Sequence, residues 1–74
     1  MSLKEKELNE IADDEFIVEQ VNSILELINE INERLDGRIM YSPKASIEML
    51  KGKTKREVVE HASSIKQGLR YEYV

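Results

Sequence analysis

Apolar residues recur every three or four positions along the middle of the first half of the chain. They fall at positions 17, 21, 24, 28, 31 and 35, and alternating steps of four and three are the heptad spacing of a helix that meets a partner helix. Val18, Leu25 and Leu27 widen this face, which is typical of bundle packing rather than a two-stranded coiled coil. We call the six heptad residues the apolar stripe: Ile17, Val21, Ile24, Ile28, Ile31 and Leu35.

The two ends of the long helix carry different signals. Asp13, Asp14 and Glu15 are typical of a capped helix start, yet a weak apolar pattern continues upstream of them. One long helix and a short helix followed by a kink therefore both fit. Downstream, Asp36-Gly37 predicts the helix end, because glycine adopts the left-handed conformation that often follows a last turn.

A short middle helix is predicted from Lys44 to Leu50. Ser42 can cap its start and Pro43 suits its first turn, whereas Gly52 interrupts the helical pattern afterwards. Residues 38–41 before it read as a short extended segment. We expect four residues around this helix to contribute to a core: Met40, Ile47, Met49 and Leu50.

A third helix is predicted to start at Lys55. Thr54 and Glu57 match the capping box, in which a hydroxyl and a carboxylate bind backbone N–H groups reciprocally. The apolar face of this helix consists of Val58, Ala62, Ile65 and Leu69, and the small Ala62 would let a partner helix approach closely.

The predicted fold is all-α and occupies residues 1–74 as a single domain. A long N-terminal helix, a short middle helix and a C-terminal helix would form a helical hairpin or bundle. The alternative adds a small ribbon, because Gly68 costs a helix about 1 kcal/mol relative to alanine. The last helix would then stop at Gly68, and residues 69–74 would pair with residues 38–41 as two strands.

A second subunit is expected because the chain is short and has no disulfides. With 74 residues and no cysteine, it can bury only a small core of its own. Domains of this size usually need disulfides, a bound metal or a second subunit for stability. We predict a dimer or tetramer, completed through the stripe and the face of the last helix. The predicted interface residues are Ile17, Val21, Ile24, Leu25, Ile28, Ile31, Leu35, Val58, Ala62, Ile65 and Leu69.

Charge is divided unequally along the chain. Residues 1–35 carry ten acids and three bases, whereas residues 36–74 carry eight bases and five acids. Opposite halves of this kind are expected to pack on one another, and antiparallel helix packing would bring them together.

Four bases cluster in the segment 51–56, which we call the basic turn: Lys51, Lys53, Lys55 and Arg56. They surround the predicted start of the last helix, where free N–H groups favour anions, so contact with nucleic-acid phosphates is the alternative function. Gly52-Lys53-Thr54 resembles the end of a phosphate-binding loop, but position 47 is Ile where that motif needs glycine.

Catalytic signatures are lacking in this sequence. His61 is the single histidine, and we interpret it as a surface residue paired with Glu57, four positions earlier on the same helix. No cofactor, metal site or nucleophile is predicted. The expected function is therefore that of a non-enzymatic, acidic, cytoplasmic regulator, inhibitor or assembly protein. It would act through its helices, by self-association and by binding another protein. No membrane is expected among its partners.

Overall fold

The computed structural model describes residues 4–35 and 39–73. Over these residues it contains helices and no strand, which confirms the all-α prediction. The chain makes one isolated antiparallel bridge, between Ile11 and Thr54. The helices, in chain order, are α1 (Glu5–Leu8), α2 (Asp14–Arg34), α3 (Pro43–Leu50) and α4 (Lys55–Tyr73).

The long helix α2 begins at Asp14 and is separate from α1. Asp13 has extended backbone angles and its carboxylate accepts the N–H of Phe16 at 2.8 Å, so it caps the first turn. This confirms the short helix followed by a kink and shows that one continuous helix is wrong. At the other end Leu35 is extended, and the predicted turn at Asp36-Gly37 lies outside the described residues.

Side-chain caps start α3 and α4 as predicted. The Ser42 hydroxyl accepts the N–H of Ala45 at 3.2 Å, and Pro43 occupies the first turn of α3. The Thr54 hydroxyl accepts the N–H of Glu57 at 3.2 Å, while the Glu57 carboxylate accepts the N–H of Thr54 at 3.1 Å. The chain turns between the two helices at Gly52, whose φ of 82° is left-handed.

The predicted ribbon is wrong, because α4 continues through Gly68 to Tyr73. Ile65 and Leu69, on either side of Gly68, pack against buried residues of α2. Burying these side chains outweighs the helix penalty of one glycine, which is about 1 kcal/mol. Residues 38 and 74, also assigned to the ribbon, lie outside the described residues.

Helices α2 and α4 run parallel, so the antiparallel packing we expected is wrong. The Lys55 ammonium lies over the ring of Phe16, at 5.6 Å from its centroid, and further along Lys66 donates to the hydroxyl of Ser23 at 3.2 Å. The start of α4 therefore lies beside the start of α2, and both helices finish at the same end of the molecule. The physical reason is α3, which carries the chain back along α2 before α4 begins.

The core consists of two small clusters along α2. One lies near the helix starts and the other further along, where α4 approaches α2 at Ala62. The Cα radius of gyration is 13.1 Å, against about 11 Å for a compact chain of this length. An elongated chain has little interior. The first cluster contains Ala12, Ile17, Val21, Leu50 and Val58, and the second contains Ile24, Ile28 and Ala62.

Candidate interaction surfaces

The apolar stripe is largely covered by helices of its own chain. Five of its six residues are at most 4% exposed, namely Ile17, Val21, Ile24, Ile28 and Ile31. Val58 and Ala62 of α4 are equally buried against them. Of the interface residues predicted from the sequence, these seven are thus brought together inside one chain. That copies also meet along the stripe stays a prediction.

The remaining predicted interface residues are partly exposed to solvent. Leu25, on the flank of α2, is half-buried, as are Ile65 and Leu69 on α4. Leu35, the last residue of the stripe, is 42% exposed. Coverage of the stripe is therefore complete near the helix starts and incomplete near the helix ends.

Large apolar side chains remain exposed where α2 and α4 finish. Leu35 follows α2, and Tyr73 follows Leu69 by four positions on the same face of α4. Met40 lies in the segment after α2, which is held there by the Ile39 N–H donating to the Asn32 amide oxygen at 2.9 Å. We call this end of the molecule the open end; four large side chains are exposed there, namely Leu35, Met40, Tyr71 and Tyr73.

The prediction that Met40 and Met49 belong to the core is wrong. Met40 is 91% exposed and Met49 is 56% exposed, whereas Ile47 and Leu50 do pack in the first cluster. Met40 lies in a segment without helical periodicity, so its direction could not be read from spacing. Tyr41, beside it, points inward and packs against both clusters, with its hydroxyl buried and unpaired among the described residues.

The basic turn is partly neutralised by carboxylates of the same chain. Arg56 contacts Glu5 at 2.8 Å, Lys55 contacts Glu10 at 3.3 Å, and Lys51 contacts Glu48 at 3.3 Å. Two of these ion pairs join the acidic half to the basic half. The expectation that the halves pack on one another is therefore confirmed within the chain.

Three N–H groups at the start of α4 also have partners within the chain. Those of Thr54 and Glu57 are bound in the capping box, and the N–H of Lys55 donates to the carbonyl of Glu10 at 2.8 Å. The Thr54 hydrogen bonds, with the nearby Lys53 ammonium, lower the pKa of Glu57 below its ordinary value. This geometry does not favour the phosphate contact predicted for Lys51, Lys53, Lys55 and Arg56.

His61 is not paired with Glu57. Its side chain is half-buried, and its Nε2 atom is buried without a hydrogen-bond partner among the described residues. The Glu57 carboxylate binds Thr54 instead. His61 lines a shallow depression of about 480 Å³ between α3 and α4, together with Met49, Leu50, Lys53, Glu57, Glu60 and Ser64.

The described residues contain neither a grouped set of metal ligands nor a helix suited to crossing a membrane. Among residues 4–35 and 39–73, no three acidic or histidine side chains are grouped so that they could hold a metal ion. None of the helices in this part of the chain has the length and hydrophobicity needed to cross a bilayer. Comparison with protein families, curated proteins and solved structures finds no match for this chain.

Proposed function

We propose that this protein is a non-enzymatic regulator, inhibitor or assembly protein that acts by binding another protein and by self-association. The observation that carries the proposal is the open end. There Leu35, Met40, Tyr71 and Tyr73 stay exposed although the rest of the stripe is covered. Tyr71 lies two positions before Tyr73 and so faces another side of α4, and exposed tyrosine and methionine are residue types enriched in protein-binding sites.

We propose contact at the open end rather than along the part of the stripe that α3 and α4 cover. A second copy could reach Ile17 to Ile31 only after α3 or α4 had separated from α2, which would expose buried apolar surface. A second copy could contact the open end while α3 and α4 stay packed on α2. Leu35 belongs to both surfaces, so the open end continues the stripe beyond the part that α3 and α4 cover.

The chemistry of the open end also suits protein contact. Tyr71 is 92% exposed, and a tyrosine buries a large ring on binding while losing few rotamers. Met40 is equally exposed and flexible, which helps it fit irregular surfaces. Arg34 and Arg70 lie in the last turns of α2 and α4, where they offset the negative helix ends.

Sedimentation velocity over a wide concentration range tests self-association. We expect the wild type to form dimers or larger species and the double variant Met40→Lys/Tyr71→Lys to remain monomeric. Met49→Lys is the control, because it places a lysine at an exposed methionine on α3, away from the open end. A monomeric wild type at the highest concentration, or equal loss of association in the control, would remove self-association from the proposal.

The same variants test binding to another protein. A partner captured by the wild type should be lost with Met40→Lys/Tyr71→Lys and retained with Met49→Lys. Circular dichroism should show unchanged helix content in both variants, since all three side chains are exposed. Capture that survives the double variant would place the binding site elsewhere on the molecule and contradict the open end.

A further inference from the structure

The segment 5–12, which we call the acidic arm, lies across the start of α4. It contains α1 and the residues that lead to the cap of α2. Two backbone hydrogen bonds hold it there: the N–H of Ala12 donates to the carbonyl of Lys53 at 2.9 Å, and the N–H of Lys55 donates to the carbonyl of Glu10 at 2.8 Å. Together with the bridge between Ile11 and Thr54, they form a short antiparallel contact.

Carboxylates of the arm cover two of the four bases in the basic turn. Glu5 binds Arg56, and Glu10 binds Lys55. The Lys55 ammonium is also positioned over the Phe16 ring, so it is held in place for an acidic group. The arm thus shows which ligand this surface accepts, namely an acidic peptide whose backbone is extended where it meets Lys53 and Lys55.

The arm is held weakly compared with the rest of the chain. None of the α1 residues is buried, and Ala12 is the arm residue that enters the core. The side chains of Glu5 and Glu10 are 83% and 56% exposed. Exposed ion pairs contribute little free energy and are screened by salt. The arm can therefore leave the basic turn without unfolding the helices.

We propose that the acidic arm is an intrachain competitor, and that the surface it covers on Lys53, Lys55 and Arg56 binds an acidic peptide segment of a partner protein. When the partner binds, its carboxylates replace Glu5 and Glu10, and its backbone replaces that of the arm. This inference goes beyond the proposed function, because the surface lies at the opposite end of the molecule from the open end.

The probe is a labelled peptide with the sequence of residues 4–13, acetylated and amidated, titrated into the full chain by fluorescence anisotropy. Glu5→Gln/Glu10→Gln weakens the chain's own arm, so this variant should bind the peptide about three- to tenfold more tightly than the wild type does. The peptide should lose affinity for Lys55→Gln/Arg56→Gln, which removes the receiving bases. Binding to the first variant should weaken as salt rises from about 50 to about 300 mM.

Glu30→Gln/Glu33→Gln is the matched control, since it changes net charge equally near the far end of α2. Its peptide affinity should stay within about twofold of the wild-type value, because long-range charge is screened at this distance. Equal affinities for the wild type, the Glu5/Glu10 variant and the control would overturn the proposal. Tighter binding of a DNA duplex than of the peptide by the Glu5/Glu10 variant would overturn the assignment of a protein partner.

Hydrogen exchange gives a readout that does not depend on affinity. In Glu5→Gln/Glu10→Gln the amides of Ala12 and Lys55 should exchange faster, whereas that of Val58, bound to the Thr54 carbonyl, should not change. Added peptide should protect the Lys55 amide again and leave that of Ala12 fast. Unchanged exchange at both amides would show that the arm does not leave, and the inference would be wrong.

Discussion

The two ends of the molecule differ in how the chain closes them. At the end where α2 and α4 start, Ala12, Ile17 and Val58 are buried, and ion pairs and backbone bonds join the acidic arm to α4. At the end where the helices finish, Leu69 is half-buried and Tyr71 is almost fully exposed. The same pair of parallel helices is therefore closed at one end and open at the other.

This difference separates stability from binding in a very small protein. The larger buried cluster and the caps Asp13 and Thr54 lie where α2 and α4 start, so we expect most of the folding free energy to arise there. The two most exposed large apolar side chains, Met40 and Tyr71, lie on the surface where the helices finish, while Ile11, Val18 and Met49 are exposed to a smaller extent towards the helix starts. A surface of that kind gains most when another molecule covers it.

The largest effect should come from truncating the core at each end in turn. Ile17→Ala should lower the free energy of unfolding by about 2–5 kcal/mol, because Ile17 is 1% exposed and its loss leaves a cavity. Leu69→Ala should cost less than about 2 kcal/mol, since part of its side chain is already in water. Urea unfolding at one low protein concentration measures both. Equal losses would mean that the two ends are equally closed.

A smaller, opposite pair of effects is expected at two glycines. Gly52→Ala, near the closed end, should destabilise by about 1–2 kcal/mol because of its left-handed φ. Gly68→Ala, towards the open end, should stabilise by about 0.5–1 kcal/mol, since alanine favours the helix and its methyl group meets no other atom. Thermal unfolding of both variants checks the signs. A destabilised Gly68→Ala would indicate a close contact at that position.

Removing the cap of α4 should cost about 1 kcal/mol. Thr54→Ala loses the hydroxyl that accepts the N–H of Glu57, and such losses typically lie between about 0.5 and 2 kcal/mol. Ser63→Ala, exposed within the same helix, is the control and should change stability little. Urea midpoints provide the comparison. A variant Thr54→Ala as stable as the control would mean that the capping box contributes nothing to the closed end.

The smallest effect should be a pH dependence from Glu57. The pKa of its carboxyl is lowered in the folded chain, first by the Thr54 backbone N–H and then by the Thr54 hydroxyl. Its stabilisation is therefore complete at pH values above the unfolded pKa of 4.5 and is lost as the pH falls through the lowered folded value. The stability gap between wild type and Glu57→Ala should narrow on acidification below 4.5. A gap that widens there would contradict this sign.

Local signals in the sequence predicted the helices well. Asp13, Ser42 and Thr54 cap the three longer helices as expected, because a cap depends on residues within one turn of it. The spacing of Val58 and Ala62 identified the buried face of α4. Local spacing was insufficient at Gly68, where a helix end was considered, because packing by Ile65 and Leu69 decides that α4 continues.

The candidate surfaces could be predicted only in part. Met40 was expected in the core and is exposed, because it lies in a segment without helical periodicity. The basic turn was identified as a cluster of bases. The carboxylates that pair with it were not predicted, because Glu5 and Arg56 are 51 positions apart. Pairing over such a distance depends on the path of the chain between helices, which spacing does not encode.

The sequence by itself therefore determined that this protein is helical, that helices follow the caps Ser42 and Thr54, and which face of each long helix is apolar, whereas it left the start of α2 open. These properties follow from hydrogen bonds and side-chain periodicity within a few residues. The tertiary structure decided that α2 and α4 are parallel, that the stripe is covered up to Ile31, and that Leu35 is left exposed. The reason is that α3 returns the chain to the start of α2, and only this path determines which apolar surfaces meet and which stay in water.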